Sequence, residues 1–164
     1  MNCNNCGAPL TLVWDKTYFE CDYCKSLYFP DENKDYVHSL EKATDVACPV
    51  CQHQLVHAVV EETRVLHCPN CKGLLVNTFV FFPTILLIRS RINGPELPPR
   101  ILDKDELKRE LECPLCHKPM DTHPYAGPGN IIIDTCNPCG VNWLDYGELY
   151  KIVNAPGRNQ INLM

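Results

Sequence analysis

The sequence predicts a small, β-rich fold that depends on bound metal, and three observations lead to this prediction. The chain has 164 residues, about one domain by length, yet it carries 12 cysteines. All of these cysteines fall into six C-x-x-C pairs. Between the pairs lie short apolar runs bounded by turn residues, a pattern that is typical of short strands.

The spacing of the pairs groups the cysteines into three quartets. Within the quartets the two pairs are separated by 14, 16 and 19 residues, whereas 23 and 41 residues separate one quartet from the next. This is the layout of a structural zinc site, with the first spacer slightly short of the usual range. The predicted metal ligands are Cys3, Cys6, Cys21 and Cys24; Cys48, Cys51, Cys68 and Cys71; and Cys113, Cys116, Cys136 and Cys139.

The geometry of the pairs favours zinc, with three ions per chain. Two cysteines separated by two residues lie on one tight turn, and a second such turn completes a tetrahedron of thiolates. A disulfide framework would need an oxidising compartment, and a redox C-x-x-C would need a βαβ context that the chain lacks. An iron site uses the same ligands and stays open as an alternative. The predicted fold class is therefore three tandem zinc ribbons with short helices.

The gaps between quartets predict four segments joined by linkers. We expect the three ribbons to be semi-independent units, each too small to be stable without metal. The predicted segments are 1–47, the first ribbon with a polar connector from Asp31 to Asp45; 48–92, the second ribbon with an apolar segment; 93–112, a Pro-rich linker and short helix; and 113–164, the third ribbon with a capped helix and a tail.

Strands and helices are predicted from apolar periodicity and capping residues. The predicted strands are Leu10–Trp14, Tyr18–Glu20, Leu27–Phe29, Leu55–Val60, Arg64–His67, Leu74–Val76 and Ile131–Ile133, with turns at Asp15-Lys16 and over Ala126–Asn130. A helix over Lys104–Leu111 is predicted from Asp103 as its N-cap. A final helix follows Asp145, with the Glu148 side chain reaching back as in a capping box.

The run from Phe79 to Ile88 is apolar, contains Pro83 and is too short to span a bilayer. We interpret it as a short helix packed across the ribbon faces, and the alternative is an assembly surface.

The third unit resembles a known family. The residues Cys113-Pro114-Leu115-Cys116, then Asp134-Thr135-Cys136-Asn137-Pro138-Cys139-Gly140, then Trp143-Leu144-Asp145-Tyr146-Gly147-Glu148-Leu149 resemble the transcription-factor-IIB-type zinc-ribbon family. Val141 replaces the second glycine of the family's C-G-G, and His117 stands where a glycine often follows the cysteine. The resemblance implies a zinc-ribbon fold and metal at this quartet.

The other two units resemble zinc ribbons less closely. The second resembles a degraded form of the same ribbon, with Leu75 in the place of the tryptophan. The first resembles a generic bacterial ribbon of the type N-C-x-N-C-G-A-P-L. A role in transcription is implied only through the family's name.

Individual polar and aromatic residues receive structural interpretations. Because the cysteines saturate three four-coordinate sites, no histidine is needed as a ligand, although His67 and His117 adjoin ligands and could hydrogen-bond a thiolate. Trp143 is predicted to lie in the core, and Asp145 and Glu148 to cap a helix. The aromatic residues of the first ribbon are a plausible flat surface for a partner.

Charge and the missing motifs indicate the function. The net charge of −5 becomes about −11 once three Zn²⁺ and twelve thiolates are counted, which disfavours autonomous binding to DNA. No transmembrane run, signal peptide or catalytic motif is found, so we expect a cytoplasmic, non-enzymatic adaptor to a protein or nucleoprotein partner. The alternatives are a nucleic-acid-binding transcription regulator and a thiol redox or metal-handling protein.

Overall fold

The structure, a computed structural model, describes residues 1–13, 18–31, 34–125 and 129–157. Its first sheet is antiparallel and has the order β1-β2-β3. The three strands are β1 (Leu10–Val13), β2 (Tyr18–Cys21) and β3 (Leu27–Tyr28). The predicted strand end at Trp14, the turn at Asp15-Lys16, the turn centre at 126–128 and the tail beyond 157 lie outside the described residues.

A second antiparallel sheet has seven strands in the order β4-β5-β6-β7-β10-β9-β8. The strands are β4 (Val37–Ala47), β5 (Gln54–Val60), β6 (Thr63–His67), β7 (Leu74–Asn77), β8 (Asp121–Pro124), β9 (Ile132–Cys136) and β10 (Val141–Leu144). Pairing of β7 with β10 joins the residues of the second predicted ribbon to those of the third. The two ribbons therefore share one sheet, while the four-segment division stays a prediction.

The shared sheet has an internal pseudo-two-fold relation between its two ribbons. Trp143 pairs with Leu75 in the register of β10 on β7, and Leu144 pairs with Leu74. Leu75 and Trp143 each follow the last cysteine of their quartet by four residues. The pseudo-axis therefore passes through the Leu75–Trp143 pair. Trp143 is fully buried there, in agreement with its predicted core role.

Two predicted segments differ from the structure. The connector from Asp31 to Asp45 contains most of β4, an edge strand whose largely exposed side chains hide any alternation. Irregular pairing on either side of Ala43 disrupts its register further. The helix predicted over Lys104–Leu111 is wrong in extent, since only a 3₁₀ turn forms at Glu106–Lys108.

The reason for the short helix is a competing backbone contact. The Leu111 carbonyl accepts a hydrogen bond from the Met120 N–H at 2.8 Å, which holds this end of the segment extended. The Asp103 side chain still accepts hydrogen bonds from the next turn, from the N–H groups of Asp105 at 2.9 Å and Glu106 at 3.4 Å.

Two helices, α1 (Thr78–Arg91) and α2 (Glu148–Val153), cover one face of the seven-stranded sheet. The inner face of α1 buries Phe81, Ile85 and Ile88 in the same cluster as the apolar residues of α2. The prediction of internal packing is confirmed for this face. Pro83 lies inside α1 on the solvent side, where water can satisfy the carbonyl that the ring leaves unpaired.

Charged side chains from two other segments hold the ends of α2. The buried Asp35 carboxylate accepts hydrogen bonds from the N–H groups of Gly147 at 2.7 Å and Tyr150 at 2.9 Å. At the other end, the buried Arg89 guanidinium donates to the Ile152, Val153 and Ala155 carbonyls at 3.1 to 3.3 Å. Both charges have the sign that the helix dipole favours.

The capping box predicted before α2 forms in half. The Asp145 N–H donates to the Glu148 carboxylate at 2.7 Å, as predicted. The Asp145 side chain does not cap the helix, because it binds Arg109 and the Trp143 indole N–H instead. Gly147 takes the cap position with a φ of 83°, and Asp35 supplies the missing acceptor.

We expect Gly73→Ala to destabilise the shared sheet. The φ of Gly73 lies outside the left-handed region, so alanine alone would normally stabilise the fold slightly. A Cβ at this position would lie 2.7 Å from Cη2 of Trp143, however, and overpacking costs about 1–3 kcal/mol. Urea unfolding gives the free energy, and in a Trp14→Phe background, where Trp143 is the one tryptophan, the emission maximum should shift.

Gly140→Ala is the control for this variant. Its Cβ would meet only Thr78 Oγ1, at 3.6 Å, but its φ of 65° costs an alanine about 1 kcal/mol. We expect its Trp143 emission to stay native, and equal emission shifts for both variants would contradict the packing argument.

Asp35 should make stability depend on pH. Burial raises the pKa of Asp35 to about 6 from an ordinary value of 3.8, against the two backbone donors and the charges of Lys34 and Lys151. Because the pKa is higher in the folded state than in the unfolded state, protonation of Asp35 stabilises the fold. This contribution is fully present below pH 3.8 and is lost as pH rises through about 6. Relative to Asp35→Asn, the wild type should lose about 1 kcal/mol between pH 5 and 7 in excess zinc. A difference that is constant or grows with pH would rule this out.

Candidate metal centres

The six C-x-x-C turns share one backbone conformation. The residue after the second cysteine has a positive φ in each of them, and its N–H donates to the carbonyl of the first cysteine at 2.8 to 3.0 Å. These residues are Gly7, Lys25, Gln52, Lys72, His117 and Gly140, with φ values of 79°, 62°, 66°, 64°, 60° and 65°. The left-handed position explains why glycine is favoured there. His117 adopts the same conformation, so this departure from the family pattern leaves the turn intact.

The sulfur atoms of each quartet converge on one point. All four lie within 4.8 Å of one another in each of the three groups. Within the quartets, S···S distances of sulfur pairs run from 3.4 to 3.7 Å, for example 3.6 Å from Cys3 to Cys24 and 3.7 Å from Cys116 to Cys136. A tetrahedron with Zn–S bonds of 2.3 Å has edges of about 3.8 Å. The donor sets therefore fit three Zn²⁺ ions, and all of the cysteines are free of disulfides.

Backbone and hydroxyl donors point at the sulfurs and favour the thiolate form. The N–H groups of Asn5, Val50 and Leu115 lie 3.4 Å from the first sulfur of their own turn. Ser26 lies 3.1 Å from the Cys24 sulfur, and hydrogen bonds from its side chain lower the pKa of that thiol to about 5. Donors of this kind offset part of the formal charge of −2 that a Zn(Cys)₄ site carries.

Burial separates the second and third sites from the first. Cysteines of both of these sites pack in one apolar cluster with Leu55, Leu75, Leu111, Met120 and Trp143. The cysteines of the first site belong to neither core cluster. Cys3 and Cys21 are buried as in the other sites, but Cys6 is exposed, whereas Cys51 and Cys116 are only half-buried. The second and third sites are therefore the more protected from solvent.

A polar network beside the third site includes a residue that the sequence analysis missed. The Arg109 guanidinium bridges Asp145, to which it hydrogen-bonds, and Asp134, whose carboxylate lies 3.7 Å away. The Thr122 hydroxyl donates to Asp134 at 2.6 Å. Burial raises the pKa of Asp134, and the hydroxyl and the guanidinium oppose that rise. The two aspartates are part of the family motif, but nothing in the sequence identified Arg109 as their partner.

The network lines a cleft of about 320 Å³ between the first and third ribbons, next to Tyr18 and Tyr146. Asp145 and Glu148 also border it. The Glu148 carboxylate accepts the Asp145 N–H at the helix start, as predicted, whereas the Asp145 carboxylate binds Arg109 in the network.

Within the described residues, neither histidine beside a ligand cysteine forms a side-chain hydrogen bond to a thiolate. His67 is buried, and its Nδ1 has no hydrogen-bond partner in the described part of the chain. Burial lowers the pKa of His67 to about 4, so the ring is neutral at physiological pH. For His117, the backbone conformation is the feature that serves the site.

Comparison with known families supports the third ribbon directly. A family described as transcription factor zinc-finger, of the transcription-factor-IIB zinc-ribbon type, matches residues 112–155. Comparison with curated proteins and with solved structures gives no significant match. The chain thus has three Cys₄ metal-binding sites, and the third lies in a segment that matches the zinc-ribbon family. Neither described helix is long and apolar enough to cross a membrane.

We expect purified protein to contain three zinc ions per chain, with sulfur ligands near 2.3 Å. Elemental analysis and X-ray absorption measure these quantities, and fewer than two metals per chain under reducing conditions would contradict the assignment.

Cys136→Ser should unfold the second and third ribbons together, because β7 and β10 pair. Cys6→Ser should affect only the first ribbon. Loss of all three metals from Cys6→Ser would show that the first site is not separable from the other two.

Proposed function

We propose that the chain is a non-enzymatic adaptor that binds a protein partner, free or within a nucleoprotein assembly, through the outer face of α1. The exposure of two phenylalanines carries this proposal: Phe79 is 85% exposed and Phe82 is 57% exposed. Val80 is 38% exposed and extends the patch, and the segment 78–88 contains no charged residue. An apolar helix face in water indicates a binding site.

The size of this surface supports a reversible contact. Phe79 and Phe82 together expose roughly 300 Å² of apolar surface. A stable interface between two proteins buries about 800 Å² on each partner, so this patch supplies only part of one. The partner that fits is a protein with an apolar groove. Because the zinc-loaded chain carries a charge of about −11, a basic rim on the partner would assist association.

The use of reactive groups within the fold supports a non-enzymatic role. All twelve cysteines lie in complete quartets, whereas a catalytic zinc keeps an open position. The thiol redox alternative would have to use cysteines that also serve as metal ligands, because the sequence has no thirteenth cysteine.

The second candidate, a transcription regulator that binds nucleic acid, is favoured by the family match at 112–155. Charge distribution opposes it. Three of the arginines already have structural roles: Arg89 is buried at the end of α2, Arg91 pairs with Glu61 at 2.7 Å, and Arg109 lies between two aspartates. Arginines used in this way are poorly placed to contact a phosphate backbone.

We therefore expect weak binding of the zinc-loaded chain to duplex DNA, in the non-specific range of about 10⁻⁴–10⁻⁶ M at physiological salt. Fluorescence anisotropy with random duplex at about 150 mM salt measures this affinity. Sub-micromolar binding would favour the transcription regulator over the adaptor.

We expect Phe79→Asp with Phe82→Asp to abolish partner capture, because charges on the helix face oppose its burial. Photo-crosslinking from position 83, followed by affinity purification under native salt, identifies proteins that contact this face. The matched control is Tyr23→Asp, since Tyr23 is 86% exposed but lies on the first ribbon, in the turn from Cys21 to Cys24. Both proteins should keep three zinc ions. Equal loss of capture in both, or none in the double variant, would contradict the proposal.

A further inference from the structure

The first metal site is the least protected of the three. Its cysteines lie outside both core clusters, and the turn from Cys21 to Cys24 carries the highly exposed Tyr23. The second and third sites instead share a cluster centred on Trp143. Local opening, which must precede metal release, should therefore require less free energy at the first site.

The first ribbon also has a separate sheet. Within the described residues, β1 to β3 form no ladder with the seven-stranded sheet. A three-stranded unit of this size buries too little apolar surface to fold alone, so its structure depends on its metal.

Aromatic contacts attach this ribbon to the third one. The Phe29 and Tyr146 rings lie 4.8 Å apart, and both side chains are almost completely buried. Tyr18 packs against both rings, at 5.1 Å from Phe29 and 6.1 Å from Tyr146. The Tyr146 hydroxyl donates to the Asp31 carbonyl at 2.6 Å. The aromatic surface predicted on the first ribbon thus has an internal partner on this side.

A cation from the second site joins the same contact. Lys72, which follows Cys71, places its ammonium group 5.7 Å from the Phe29 ring centre. The first ribbon therefore covers Tyr146 and borders the cleft that contains Arg109 and Asp145.

We propose that zinc at the first site is exchangeable while zinc at the other two is retained, and that its loss releases the first ribbon from Tyr146. The first ribbon is then a metal-dependent cover over the surface formed by Tyr146 and the adjoining cleft. Low zinc availability uncovers this surface without dismantling the seven-stranded sheet. This inference concerns a surface separate from α1 and does not rest on the proposed adaptor role.

The contact and the metal must stabilise each other. If the first ribbon packs on Tyr146 only when it is folded and zinc-loaded, packing raises the zinc affinity of the first site. By reciprocity, zinc favours packing by the same factor. Weakening the aromatic contact should therefore speed zinc loss from a site that the substitution does not touch.

The first experiment uses the full zinc-loaded chain and a strong chelator. Zinc release is followed with a metal-sensitive dye, and freed thiols are alkylated with N-ethylmaleimide and mapped by mass spectrometry. One equivalent should leave about tenfold faster than the other two, with alkylation confined to Cys3, Cys6, Cys21 and Cys24. In a Trp14→Phe background, which leaves Trp143 as the one tryptophan, the emission should remain native at that point, and radical footprinting of Tyr146 should increase. Simultaneous release, or first labelling of any other quartet, overturns the proposal.

The second experiment tests the aromatic contact. Phe29→Ala should accelerate release of the first zinc by about tenfold or more and leave the other two rates unchanged. Tyr28→Ala is the matched control. Tyr28 precedes Phe29 in the chain, but its ring is 39% exposed and packs on Phe19 within the same sheet. Equal rates for Phe29→Ala and the wild type, or equal acceleration in both variants, would show that the first ribbon is not held by this contact.

Discussion

The pairing of β7 with β10 is the interaction on which most of this structure depends. It places Trp143 opposite Leu75 and brings the cysteines of two metal sites into one apolar cluster. The opposite face of the same sheet receives α1 and α2. Two ribbons that would each be too small to bury a core share one in this way. Metal at either site fixes the strands that shield the other site, so their stabilities are coupled.

The same pairing accounts for the departure at Val141 from the family pattern. On one face of the sheet, Trp143 lies diagonally across from Gly73, where a Cβ would collide with the indole. The pseudo-two-fold relation places Val141 in the equivalent position relative to Leu75. Because leucine is smaller than tryptophan, this position has room for valine. The glycine is needed across from the tryptophan, and here the second ribbon supplies it.

The sequence was informative where the determinants are close together in the chain. The metal-binding turns, most hairpin strands and the backbone half of the capping box at Glu148 depend on residues a few positions apart. Asp35 and Arg89 act on α2 over more than sixty intervening residues, and no local pattern marks either as a cap. β4 was not predicted, because an exposed edge strand needs no alternation of apolar and polar residues. Leu111 was assigned to a helix because its extended backbone is set by Met120, a partner outside the predicted segment.

The distribution of charge explains why the exposed apolar surface is the prominent free feature. Arg109 neutralises the buried Asp134 and the half-buried Asp145, Arg89 holds the end of α2, and Asp35 holds its start. Each of these groups would lose a structural partner if it turned outward to a ligand, and a buried charge left alone costs several kcal/mol. Phe79 and Phe82 are not part of the core, because the inner residues of α1 already fill it. A partner can therefore bind the outer face of α1 without breaking an internal contact and without unfolding the ribbons.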